Sequence, residues 1–366
     1  MIWDVVVAGA GPAGCAAALV LAREGLEVLL LERYRPPRYK VCAGVFSMKA
    51  IRLLQSLGLD IAPLARTRLG PVLFTLRGAD PVVVEGHRSL AQLLDRSESD
   101  RFLAEHAAQA GAQLRDGTRV IRVETNWREC RVHTSEGLIR SQYVIGADGG
   151  LSAVARSLDL GPSPGRMGWA VEQVLPASKA VNGAQVDLAA VPGGYFWVFP
   201  RGEEASVGLG TCAGPSRGLK SRLVDMMKSR GLEPLPRTRG HPLSALPSQR
   251  RLGRHRVLLA GDAAGLVDSL TGEGIYSALR SGTEAARAIL GASEGNALSL
   301  YSSSMRSLLS DLRWARWLSG LFYRVPGAFY RWFRPGSRLD QCFQDLVEGQ
   351  LAYSQVPRFL VRRRCP

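Results

Sequence analysis

One hexapeptide constrains the fold of this chain more than any other feature: Gly9-Ala10-Gly11-Pro12-Ala13-Gly14, set between an apolar run and an alanine-rich one. Asp4 to Ala8 reads as a buried strand, Ala13 to Glu24 as a helix and Glu27 to Leu31 as a second apolar strand, an alternation that builds parallel sheet. A GxGxxG pattern is weak alone and strong between a strand and a helix. Gly9 permits the tight turn, Gly11 lets the backbone approach a pyrophosphate, and Gly14 lets the helix pack on the sheet. Pro12 and Ala13 open the helix, whose N-terminus stabilises phosphate charge. Glu32, 18 residues past Gly14, is placed to accept hydrogen bonds from ribose hydroxyls, with Arg33 beside it.

A dinucleotide follows from this turn, and either NAD or FAD satisfies it. The segment Val257 to Ser281, VLLAGDAAGLVDSLTGEGIYSALRS, is a second strand-turn-helix, remote from the first. Gly261 and Asp262 at its strand end suit a ribityl hydroxyl or a pyrophosphate-linked water. Gly272, Glu273 and Gly274, just before Ile275 opens a helix to Leu290, would set backbone N–H groups beside an electron-rich ring edge. FAD spans two such sites, whereas NAD does not need the second.

Composition narrows the remaining classes. The 366 residues exceed the usual single domain, and 46% hydrophobic with 22% charged residues is globular composition. A net charge of +15 suits an anionic cofactor, substrate or membrane surface. Nucleic acid is disfavoured, because Lys and Arg are spread along the chain with no binding motif. Six cysteines without a CxxC pair give no zinc site or disulfide framework, and no metal is expected, so a reducing cytoplasm fits. Residues 5 to 22 are apolar, but Asp4 and three glycines argue against a signal sequence.

Further along, residues 98 to 110 have helical composition, and strands are expected at 118 to 124, 130 to 134 and 142 to 146. Residues 160 to 250 carry alternating stretches such as Gln185 to Val191 and Tyr195 to Phe199, a mostly antiparallel region. The last 66 residues hold 11 Arg against 4 acidic residues and 12 of the 26 aromatics. The expected fold is therefore α/β: a Rossmann-like FAD-binding domain with parallel sheet over 1–70, 86–158 and 250–295. A mixed or antiparallel-sheet substrate domain over 71–85 and 159–249 is interleaved with it. A basic, aromatic-rich helical segment over 296–366 completes the chain. That segment suits either packing on the protein's own core or an anionic membrane surface, rings at headgroup depth and cations near lipid phosphate.

GAGPAG, the LDR…D..L stretch at 94 to 103, IGADG at 145 to 149 and GDAAGLVDSLTGEGI at 261 to 275 together resemble the signatures of FAD enzymes related to p-hydroxybenzoate hydroxylase, in the same order. By that resemblance Arg96 contacts the flavin near its pyrophosphate or ribityl chain, and Asp148 and Gly149 close the second face of the phosphate region. Within that group, RYKVCAGV at 38 to 45 and GYFWVFP at 194 to 200 are similar to signatures of geranylgeranyl reductases. The resemblance implies reduction of carbon-carbon double bonds in a prenyl substrate, with NAD(P)H as donor or a ferredoxin-type donor instead. It puts Cys42, Ala43 and Gly44 near the flavin, with Cys42, Tyr195 and Trp197 lining the reactive side. Ala43 departs from the family's glycine, and Asp268-Ser269 from its usual Asn-Pro. Gly265 and Ser281-Gly282 disfavour a hydroxylase, and Tyr195 disfavours a halogenase. A flavin monooxygenase of an aromatic or polyketide substrate and a non-catalytic prenyl-binding protein remain the rival expectations.

Overall fold

The computed structural model describes residues 1–84, 91–161, 167–177, 183–212, 217–245, 251–293 and 295–361. At its centre lies the strand Trp3–Ala8, whose Val5, Val6 and Val7 are wholly buried. A strand covered on both faces reads as a continuous apolar run, as this one does. It pairs in parallel with Val28–Leu31 on one side and Gly137–Gly146 on the other, and the parallel set extends to Gln113–Arg115 and Val257–Leu259. The helices Pro12–Arg23 and Ile275–Leu290 lie side by side against this sheet. They approach so closely that a methyl on Gly282 would stand 2.0 Å from Ala13 O.

A second sheet of seven strands runs Arg239–Leu243, Gly168–Pro176, Glu204–Thr211, Gly194–Arg201, Ala184–Val191, Val72–Leu76 and Ala79–Val84. All its pairings are antiparallel except Ala184–Val191 beside Val72–Leu76. Between the sheets sit three short strands, Val45–Ser47, Ala91–Leu94 and Ala65–Leu69. Sequence reasoning did not anticipate these, nor the helix Met48–Ser56 capped by Ser47. The strand expected at 142 to 146 begins at Gly137, because a turn with Gly137 at φ +125° folds it back on Cys130–Thr134. The domain boundaries read at 85/86 and 249/250 fall outside the described residues.

The C-terminal residues do not form one detached segment. Tyr301 in the helix Ala297–Ser304 is fully buried and donates to Leu259 O at 2.7 Å, so this helix belongs to the main core. The helices Arg306–Arg324, Pro326–Trp332 and Arg338–Glu348 then reach the second sheet. There Phe333 and Phe343 meet Phe74 edge-on at 5.6 and 5.4 Å, and Tyr330 Oη donates to Phe74 O at 2.8 Å.

Candidate active site

The glycine turn shows which of its residues serve the protein and which face outward. Gly9 has φ +106°, and a methyl there would stand 2.4 Å from Ala147 O; on Gly14 it would stand 1.8 Å from Gly9 O. Both positions require glycine for the fold. Gly11 has φ −87°, and a methyl there would meet only Arg38 Nη2 at 3.7 Å. Its lack of a side chain leaves bare backbone toward open space at a helix N-terminus, the feature a pyrophosphate needs.

Around this turn the charges are organised. Glu32 is buried, its Oε2 accepting from Ala10 N and its Oε1 from Tyr34 N, both at 3.1 Å. Arg38 links Glu32 at 3.4 Å to Asp100 at 3.2 Å, and Arg96 holds Asp100 with Nε and Nη2 at 3.0 Å each. The buried Arg96 lies within electrostatic reach of Cys42. Arg33 is exposed, stacked over the Tyr34 ring. Cys15 is a buried filler whose thiol burial pushes far up.

Gly261, with φ +59°, brings the second segment onto the first: a methyl there would lie 3.2 Å from Ala13 Cβ, and its N–H donates to Ser281 Oγ at 2.8 Å. Ser281 and Gly282 are thus packing requirements of the helix pair. Asp262 lies beside Gly274 and within electrostatic reach of Lys40. Lys40 Nζ is hydrogen-bonded to His241 Nε2; burial moves the Lys40 ammonium down to about 8 and the His241 imidazolium down to about 2. Asp148 accepts from Ala153 N at 2.6 Å and Val154 N at 3.2 Å, so its carboxylate caps the short helix Ala153–Ser157 rather than standing free. Burial raises its pKa. Gly149, at φ +82°, has open space where a side chain would be.

The residues expected at the reactive side come from the 39–44 loop, the second sheet and the 268–274 loop. Cys42 is half-buried, its Sγ accepting from Gly44 N at 3.4 Å. Gly44 has φ +74° and leaves 2.0 Å to Leu94 O, so glycine is obligatory there, while Ala43 packs against the cluster beneath the second sheet. Cys42 N and Tyr39 Oη both donate to Glu172 Oε2, at 3.0 and 2.9 Å. The other oxygen of Glu172 accepts from Ser206 Oγ at 2.5 Å, and Trp197 Nε1 donates to Ser206 at 2.9 Å. Glu172 is buried, which raises its pKa. The Trp197 ring lies across Gly208, where a methyl would stand 2.1 Å from it, and Tyr195 flanks it at 6.0 Å between centroids. Tyr195 Oη donates to Thr271 O at 2.6 Å and fills the space over Gly272. Cys42, Cys212 and Tyr323 all lie within electrostatic reach of Tyr195.

Sequence reasoning missed Glu172, Ser206, Cys212 and Tyr323. An acid inside the mostly apolar strand run WAVEQVL and two glycines in ASVGLGT were available signals, since a strand glycine marks close approach. Nothing local marks Tyr323. The bare backbone at Gly11 and Gly149, the buried Glu32 and the two helix N-termini joined through Gly261 fit an extended dinucleotide such as FAD.

Comparison with known proteins agrees with that fit. Residues 3–301 match the family model described as FAD binding domain. The chain is 33% identical over 307 residues to geranylgeranyl diphosphate reductase of Rhodobacter capsulatus, covering 79% of this chain and 75% of that one. It is 34% identical over 356 residues to digeranylgeranylglycerophospholipid reductase 2 of Methanothermobacter thermautotrophicus, covering 88% and 89%. In fold it is similar to a geranylgeranyl bacteriochlorophyll reductase-like protein of Thermoplasma acidophilum, with TM-score 0.76, 22% identity, and 99% and 96% of the two chains covered. With its glycine turn, its paired helix N-termini and relatives matched over most of their length, the chain belongs to the geranylgeranyl reductase family of FAD-dependent oxidoreductases.

Proposed function

We propose that the protein reduces isolated carbon-carbon double bonds of an isoprenoid chain. The observation that carries this reading is the tie from the Cys42 loop through Glu172 and Ser206 to Trp197, beside Tyr195, which meets the 268–274 loop. Flat aromatic walls next to the flavin-holding segments suit a hydrocarbon substrate. FAD, when bound and reduced by a donor such as NAD(P)H, would supply the hydride. Trp197 and Tyr195 orient the chain and exclude water. Cys42 shapes the channel or passes on the proton that the second carbon needs, drawn from water. Gly11, Glu32, Arg96, Asp262, Gly272, Glu273 and Gly274 hold the cofactor, with Gly9 setting the turn and Asp148 acting through the helix it caps.

The test is product mass. Under anaerobic conditions, geranylgeranyl lipid with NAD(P)H or dithionite should gain two hydrogens per bond reduced. Cys42→Ala should keep bound FAD while slowing reduction or changing how many bonds are reduced. Substrate-stimulated oxygen consumption without a mass gain of this kind would replace the reading with monooxygenation.

Access to a lipid substrate supports a second element of the proposal, peripheral contact with an anionic membrane. Trp332 is 73% and Trp317 56% exposed, near exposed Arg313, Arg324, Arg331 and Arg334. Exposed Trp among Arg suits the lipid interface. No helix among the described residues is long and apolar enough to cross a membrane. Replacing both tryptophans with Ala should leave thermal stability unchanged and reduce sedimentation with anionic vesicles; undiminished sedimentation would remove this element.

A further inference from the structure

The 268–274 loop is held by residues that the nucleotide motifs do not include. Asp268 is buried, and its Oδ1 accepts from Leu270 N at 2.7 Å and Thr271 N at 3.2 Å, which makes the turn leading to Gly272. Its other oxygen accepts from Tyr353 Oη at 2.6 Å, 85 residues further on. Tyr353 is itself buried, and burial together with Asp268 keeps its phenol firmly protonated, so it can only donate to the carboxylate. The long C-terminal helix adds a second tie, Ser319 Oγ donating to Ser269 O at 2.9 Å. On the opposite side the loop meets Tyr195 through Thr271 O, and Glu273 meets Ser47 and Lys49. The backbone of 268–274 is therefore set by three separate parts of the chain, and the C-terminal part supplies the contact to Asp268.

We propose that Tyr353 is a positioning residue for the flavin: by holding Asp268 it fixes the loop whose Gly272–Gly274 backbone meets the ring, so the C-terminal helices are part of the cofactor site. This rests on the assignment of FAD to the site. A buried carboxylate deprived of one donor reorients toward whatever donor remains, and the turn it holds loosens with it. Ground-state binding of FAD and its reduction potential both depend on where those backbone groups stand.

The experiment compares Tyr353→Phe with wild type for FAD dissociation constant, visible spectrum and midpoint potential, alongside the melting temperature of the apoprotein. Tyr353→Phe should bind FAD on the order of tenfold more weakly, as expected when a buried charged acceptor loses one of its donors. Its potential should also shift. Asp268→Ala should weaken binding further, while Asp268→Asn, which keeps an oxygen for the turn and offers its amide to the phenol oxygen, should restore most of the affinity. A purely structural tyrosine would lower the melting temperature of the apoprotein and leave affinity, spectrum and potential at wild-type values, and that result overturns the proposal. Wild-type protein that takes up no FAD would instead refute the cofactor assignment on which it rests.

Discussion

The two segments proposed to cradle the cofactor are built in opposite ways. In the 9–14 turn the close approaches are made by backbone to backbone, Gly14 against Gly9 and Gly9 against Ala147, and the acid that supports it, Glu32, lies at the end of the very next strand. In the 268–274 loop the ties come from side chains of Tyr195, Ser319 and Tyr353, brought in from a separate sheet and from the C-terminal helices. A site made of backbone demands particular residues at fixed spacing and is readable as a motif. A site made of distant side chains leaves its local residues under weaker constraint. Here the Asp268 carboxylate is capped from outside by Tyr353.

The sharpest way to break this contrast lies in the glycine turn, where the largest effects are expected. Gly14→Val should prevent folding, since its side chain would overlap Gly9 O, an overpacking with no room to relax and worth more than about 4 kcal/mol. Gly11→Val should fold as apoprotein within about 1 kcal/mol of wild type yet remain colourless, because only the ligand needs that space. Denaturant titration and flavin absorbance check both. A Gly11→Val protein that retains FAD, or an apoprotein that fails to fold, would undo the division between structural and ligand-facing glycines.

A smaller loss is expected from the side-chain-built region. Glu172→Ala leaves Cys42 N, Tyr39 Oη and Ser206 Oγ without their acceptor and should cost roughly 3 kcal/mol. The pH dependence sharpens the point. Burial raises the folded-state pKa of Glu172 above its unfolded value, so the native protein binds this proton more tightly than the unfolded chain does. Its contribution to stability is favourable at low pH and is lost as pH rises from the ordinary carboxylate range through the raised folded value. Glu172→Gln should flatten that part of the melting temperature against pH, and an unchanged profile would show that Glu172 is not the group responsible.

The smallest effect should follow Tyr195→Phe, which keeps the ring over Gly272 and removes only the bond to Thr271 O, about 1 kcal/mol by urea unfolding. If its effect on FAD binding exceeded that of Tyr353→Phe, the loop would be controlled from the substrate sheet rather than from the C-terminal helices.

Local pattern alone determined the first strand-turn-helix, the helix Ile275–Leu290 to its end residues and the antiparallel character of 184–211, because each depends on period, glycine placement or spacing within a few turns of chain, and two such local motifs taken together pointed to FAD. Tertiary structure decided the rest. It put Asp148 on a helix cap, joined Cys42 to Trp197 through Glu172, buried Tyr301 in the main core, and divided the C-terminal aromatics between core-facing Tyr330 and exposed Trp332. Those outcomes turn on which surfaces meet when two sheets and a set of helices close on one another. A buried acid and its distant donors satisfy each other only after that closure, so local sequence can mark such an acid but not name its partners.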